Sequence, residues 1–157
     1  MKRALFALLL AAVLTLTACG SSPKREVSQA LDLDVSSGTV LHHEDGHGGF
    51  LGDGSTAIVL SFPDAQLAES IRTDSRWKPL PPDPTAQILL YGTEEDGPYL
   101  IREDGTPMVP EIENGHYCLI DRQEPQSTPM LDRYSLNFTL AVYDTEEHLL
   151  YYCTMDT

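Results

Sequence analysis

"SLNFTLAVYDTEEHLLYYCTM", residues 135–155, decides the fold. Leu136, Phe138, Leu140 and Val142 alternate with Asn137, Thr139 and Ala141, the period of a strand with one buried face. Asp144-Thr145-Glu146-Glu147 supplies turn residues, and a second β-rich run extends from His148 to Met155. If Tyr143 pairs with His148, Val142 faces Leu149, Leu140 faces Tyr151 and Phe138 faces Cys153. The two runs predict an antiparallel hairpin.

Upstream, the pattern predicts a meander. Tyr99 to Arg102 and Thr106 to Val109 flank Glu103-Asp104-Gly105, and Asn114-Gly115 is a two-residue hairpin signal between Ile112 and Tyr117. That turn would set His116 facing Glu113 as a surface pair, while His148 starts its strand and Glu94-Glu95-Asp96 forms a solvated loop. Ser55 to Phe62 is a β-branched apolar run closed by Pro63-Asp64, the mark of a buried strand, and Thr39-Val40-Leu41 also reads as strand. Asp64 is a good helix N-cap, with Leu67, Ala68 and Ile71 forming an apolar stripe behind it. Trp77 precedes the rigid Pro79-Leu80-Pro81-Pro82 and is expected to pack over the domain. Asp83, Pro84 and Gly92 mark the cap, first turn and end of a second short helix. The fold class is α+β, an antiparallel sheet of short strands and hairpins with one or two short helices on one face, in a single domain over 31–157.

With 24 acidic residues against 10 Lys and Arg, the net charge is −14. Such a charge repels phosphate backbones and anionic lipid head groups, which argues against nucleic-acid binding and electrostatic membrane docking and favours a cationic protein or peptide. The cysteines add a constraint. Strands in sequence order leave Cys118 and Cys153 two strands apart, near 10 Å, beyond bridging distance, and favour two buried free thiols; a different strand order would permit a disulfide.

The N-terminus carries an address. Met1-Lys2-Arg3 is a positive n-region, and the apolar run Ala4 to Leu16 is shorter than the roughly 20 residues of a membrane-spanning helix. Leu16-Thr17-Ala18-Cys19 resembles the lipobox of bacterial lipoproteins. That resemblance implies a signal peptide over 1–18 and acylation of Cys19, palmitate included, with the protein held on the extracytoplasmic face of the cell membrane. More than one acyl chain makes such an anchor stable. Residues 19–30 are small, polar and charged, and predict a flexible tether.

His43-Glu44-Asp45-Gly46-His47 matches HExxH, which resembles the zinc-peptidase pattern: two histidines one helical turn apart hold the metal and the glutamate serves as general base. The pattern needs a helix, and Gly46, Gly48 and Gly49 each oppose one by about 1 kcal/mol relative to Ala. Asp53 stands where a metzincin-like site carries its third ligand, although Phe50 replaces that pattern's glycine. The alternative reading is thus a zinc-dependent hydrolase with His43, His47 and Asp53 as ligands and Glu44 as base. The stretch His47 to Gly54 also resembles one found in small uncharacterised exported bacterial proteins. It marks His47, Gly48, Gly49, Phe50, Asp53 and Gly54 as candidate binding-loop residues.

There is no GxSxG elbow, Walker loop or EF-hand loop. Cys118 lies in an apolar run, which disfavours a nucleophilic thiolate. The sequence therefore predicts a non-catalytic, cofactor-free binding or accessory lipoprotein, in one version immunity-like. A structural envelope component is the remaining option.

Overall fold

The computed structural model describes residues 22–48, 52–124 and 127–157. The lipobox with Cys19, and Gly49 and Phe50 of the glycine-rich loop, lie outside the described residues. The predicted hairpin stands at the centre of the sheet as β5 (Asn137–Asp144) and β6 (Leu149–Asp156). Its register differs by two residues from the expected one: Tyr143 pairs with Leu150, Val142 with Tyr151, Leu140 with Cys153 and Phe138 with Met155. The cause is the turn. Asp144 Oδ1 accepts from the amides of Glu146 and Glu147 at 2.8 and 3.0 Å, and His148 takes a left-handed conformation (φ 53°), so His148 belongs to the turn. A shift of two keeps every side chain on its predicted face.

Four further strands complete the sheet: β1 (Thr39–Asp45), β2 (Gly54–Ser61), β3 (Lys78–Pro79) and β4 (Gly115–Asp121). The order is β1-β2-β6-β5-β4-β3, and every neighbouring pair is antiparallel. The fold is α+β as the pattern predicts.

The expected one or two helices on one face are corrected to three helices covering both faces, because the helix over Pro84–Tyr91 packs on the side opposite the other two. On one face α1 (Pro23–Leu31) and α2 (Gln66–Thr73) pack Val27, Leu31, Leu67 and Ile71 against Ile58, Leu60, Leu150 and Tyr152, with Trp77 and Cys118 in the same cluster. On the other, α3 (Pro84–Tyr91) places Ala86, Leu89 and Leu90 over Tyr117, Phe138, Leu140 and Val142. The central strand β5 is buried from both sides, which fits its near-continuous apolar run. Each large apolar side chain so buried contributes about 1.5–3 kcal/mol.

The helix signals resolve in different ways. Asp83 caps α3, accepting from Ala86 N at 3.0 Å, and Gly92 ends it with φ 71°. Asp64 sits one residue too early to be the N-cap of α2, and its carboxylate instead accepts from Gln66 N at 2.9 Å in the preceding turn. The predicted tether is corrected over most of its length: residues 23–31 are α1. Ser22 caps it by accepting from Arg25 N, Pro23 occupies the first turn, and Val27 and Leu31, one turn apart, are fully buried. Two apolar residues at that spacing suffice when a sheet face is waiting for them.

The Asn114-Gly115 hairpin does not form. Gly115 opens β4, and a Cβ there would lie 2.1 Å from the Tyr143 carbonyl oxygen, so the glycine permits close approach of β4 to β5 rather than a tight turn. His116 consequently faces no glutamate. It pairs across the sheet with Tyr143 and Pro79, its Nδ1 is buried with no partner among the described residues, and burial followed by the Arg72 charge lowers its pKa. The predicted strands about Asp104 reduce to one bridge between Ile101 and Pro107.

Strand order β6-β5-β4 separates Cys153 from Cys118 by one intervening strand, and alternation places them on opposite faces. Both are free and buried.

Candidate functional site

Of the HExxH residues His43, Glu44 and Asp45 lie on β1, Gly46 and His47 follow its end, and none lies on a helix. His43, Glu44 and Asp45 pair with Ile58, Ala57 and Thr56 of β2, so His43 and Glu44 point to opposite faces of the sheet. His42 and Glu44, two apart on one face, form an exposed pair at 3.3 Å. Asp53 is exposed, and its role in the loop is through the backbone, where its carbonyl accepts from Gly48 N at 3.2 Å. The zincin geometry, with two histidines on one helical face and the glutamate beside them, is therefore not formed by His43, Glu44 and His47. Among the described residues there is no cluster of three or more His, Cys, Asp or Glu side chains arranged to hold a metal ion.

His47 has a different setting. The ladder of β1 and β2 continues through Gly46 N to Ser55 O at 2.8 Å, and a Cβ at Gly54 would fall 2.5 Å from His47 Cα. Gly54 thus lets the two chains close tightly enough to turn His47 inward over the end of the sheet. Its Nδ1 lies 2.8 Å from Asp45 Oδ1 and its Nε2 lies 3.1 Å from Asp156 Oδ2. Only the imidazolium can donate through both nitrogens. Burial opposes the charge on His47, but the bonds to Asp45 and Asp156 outweigh it and raise the pKa.

The carboxylates are held in return. Asp45 accepts from the backbone N–H of His47, the largest cause of its lowered pKa, and then from the imidazole. Asp156 is more buried, which works against its charge, yet Arg122 and His47 together lower its pKa. Arg122 donates to Asp156 at 3.0 Å and also to the carbonyls of Phe138 and Met155, which ties the exit of β4 to the ends of β5 and β6.

Beside this network lies an open cavity of about 390 Å³. Its floor is a row of threonines, Thr56 on β2, Thr154 on β6 and Thr139 on β5, in direct cross-strand register and all buried. Tyr152 lies one pleat further along β6, and Glu26 and Ala30 of α1 overhang the floor. Burial, then the Glu26 carboxylate, pushes the Tyr152 phenol up. The cavity exists because α1 turns its apolar stripe, Val27 and Leu31, toward the middle of the sheet and leaves its Glu26 side above the threonine end.

The sequence identified His47 and Gly54 of this site. It missed Glu26, Arg122, Tyr152, Thr154 and Asp156, which reach His47 only through the tertiary fold; Asp156 is 109 positions away. The nearest local signal was the placement of Thr139 and Thr154 within otherwise apolar strands. Elsewhere, burial drives the Cys118 thiol up to about 11 and the Cys153 thiol up to about 12, far from the thiolate a nucleophile needs. Compared with protein family models, curated proteins and solved structures, the chain matches none.

Proposed function

We propose that this protein is a non-catalytic binding module, anchored through a lipid on Cys19 to the extracytoplasmic face of a bacterial cell membrane, where it captures a cationic protein or peptide. The observation that carries the reading is how its few cations are used. Lys24 donates to the carbonyls of Ser36 and Gly38, and Arg102 to those of Pro107 and Met108. Arg72, Arg76, Lys78, Arg122 and Arg133 are each paired with a carboxylate of the same chain. By contrast Glu94, Glu95, Glu103, Glu111, Glu113 and Glu147 are exposed, and their carboxylates make no hydrogen bond or ion pair among the described residues. The field presented to solvent is therefore acidic, which steers a basic partner toward the surface and repels anionic ones.

The binding reading also fits the only clamped imidazole in the candidate site. A histidine whose two nitrogens already face carboxylates has no free nitrogen with which to take a proton from a substrate.

Fluorescence anisotropy of the full-length chain in detergent micelles, titrated with a labelled lysine-rich peptide, tests the capture. Binding is expected at low ionic strength, where charges act over about 30 Å at 0.01 M, and is expected to disappear near 1 M, where the reach is about 3 Å. Equal retention of a glutamate-rich peptide, or no binding at low salt, refutes it. The anchor is tested by palmitate labelling in a bacterial host: Cys19→Ser should abolish the label and release the protein from the membrane fraction.

A further inference from the structure

Three carboxylates, Glu26, Asp45 and Asp156, stand in the lining of the cavity beside His47. Thr56 is engaged, its hydroxyl 3.4 Å from Asp45 Oδ1 and 3.2 Å from His47 Nδ1. The Thr154 side chain makes no hydrogen bond among the described residues, and the residue, only 7 % exposed, lines the cavity floor. Its hydroxyl opens to the cavity, so a group entering can meet it directly. The two cations in the lining, Arg122 and His47, already donate to Asp156. What a ligand meets is mainly acceptor capacity: the Glu26 carboxylate above, which also accepts from Tyr152, further lone pairs of Asp45 and Asp156 at the side, and the Thr154 hydroxyl below, which can accept or donate.

Three carboxylates, Glu26, Asp45 and Asp156, outnumber the two cations Arg122 and His47 in the lining, so an anion would enter against the excess charge. An apolar group would bury the Thr154 hydroxyl and the carboxylates without replacing their contacts with water. A primary ammonium offers three donors and no acceptor, and a charge opposite to the excess around it. We propose that this cavity is a binding site for a primary ammonium group, carried by a lysine side chain or by a small free amine. The proposal rests on the reading that the protein captures a cationic partner, and gives that capture a seat.

The test uses the isotope-labelled full-length chain in micelles, titrated with a short lysine peptide, with the same peptide acetylated at Nζ, and with 1,5-diaminopentane. The lysine peptide is expected to shift the amide resonances of His47, Thr56, Thr139 and Thr154, and acetylation to abolish the shifts. Thr154→Val, a shape-preserving change on a strand, and Glu26→Gln should each weaken binding about tenfold, the scale of one charge-assisted hydrogen bond. Glu26 occupies a half-buried position on α1, so its variant keeps the test open if the strand variant fails to fold. Equally strong shifts from the diamine support a small amine as the ligand; shifts from the peptide alone support a lysine of the partner. Binding of the lysine peptide with those amides unmoved and both variants unaffected overturns the site while leaving cationic capture standing, as does equal binding of the acetylated peptide in the cavity. Failure of every amine and basic peptide to bind at low salt overturns both.

Discussion

Truncating Leu31 to alanine tests whether α1 belongs to the folded unit. Leu31 has no exposed surface and shares a cluster with Val27, Val35 and Trp77, while its carbonyl accepts from Arg76 at 2.6 Å. Removing a fully buried leucine side chain costs about 2.7–5 kcal/mol when the surroundings relax only in part. For a domain of this size the unfolding entropy is roughly 0.3 kcal/mol per kelvin, so Leu31→Ala should lower Tm by about 10–15 °C. Gln29→Ala, on the exposed side of the same helix, is the control and should move Tm by less than about 2 °C. Calorimetry on both variants decides the matter. A Leu31→Ala protein that remains folded and melts within about 2 °C of the parent would show that residues 23–31 do not take part in cooperative unfolding. The argument from burial would then be wrong, and the segment would behave as the tether that its composition suggests.

Stability should depend on pH from both sides of the His47 network. The raised pKa of His47 makes its contribution complete below about 6.5, its ordinary value, and lost as pH rises through the folded-state value. The lowered values of Asp45 and Asp156 make theirs complete above about 3.9 and lost as pH falls through their folded-state values. Urea midpoints should thus form a plateau between these limits, and His47→Gln should flatten the alkaline fall; an unchanged alkaline limb would contradict the assignment. Arg133→Ala should lower the urea midpoint more than Arg72→Ala does, because the Arg133–Asp121 pair is less exposed to solvent than the Arg72–Glu69 pair. Equal losses from the two would remove burial as the deciding factor. Iodoacetamide should label Cys118 and Cys153 slowly at pH 8 in the folded protein and rapidly once urea unfolds it, since both thiols are buried and raised; rapid labelling of the native chain would refute their placement.

The elements legible in the sequence are those whose determinants are local. The alternation in 136–142, the Asp83-Pro84 and Gly92 punctuation of α3, and the stripe of Leu67, Ala68 and Ile71 each specify an element within one short window, and each stands in the structure. What escaped depends on contact between windows. α1 is a nine-residue helix of mostly polar composition that forms against a sheet face to which β2 and the distant β6 both contribute, through Ile58, Leu60, Leu150 and Tyr152. Gly115 looked like a turn because Asn-Gly is usually one, while its real constraint is the Tyr143 carbonyl pressed against it. The β5–β6 register shifted because Asp144 organises a longer turn than simple pairing from Tyr143 allows. In the site, HExxH spacing drew attention to His43 and Glu44, yet a strand alternates what a helix would align, leaving His47 as the member that meets Asp156, which Arg122 also binds.

The two outer strands bear on how the protein keeps to itself at high local concentration. An open sheet edge is a template on which another chain can lay a strand, and crowding on a surface makes such encounters frequent. Here β1 carries His42, His43, Glu44 and Asp45 along one edge, and its register slips between Val40 and His42, breaking the flat run of backbone groups that a newcomer needs. At the far edge β3 is only two residues long and ends at Pro79, with Pro81 and Pro82 close behind, where the missing amide hydrogens deny a donor to any added strand. Charge and a bulge guard one side and proline the other, so the sheet resists growth into fibrils in either direction.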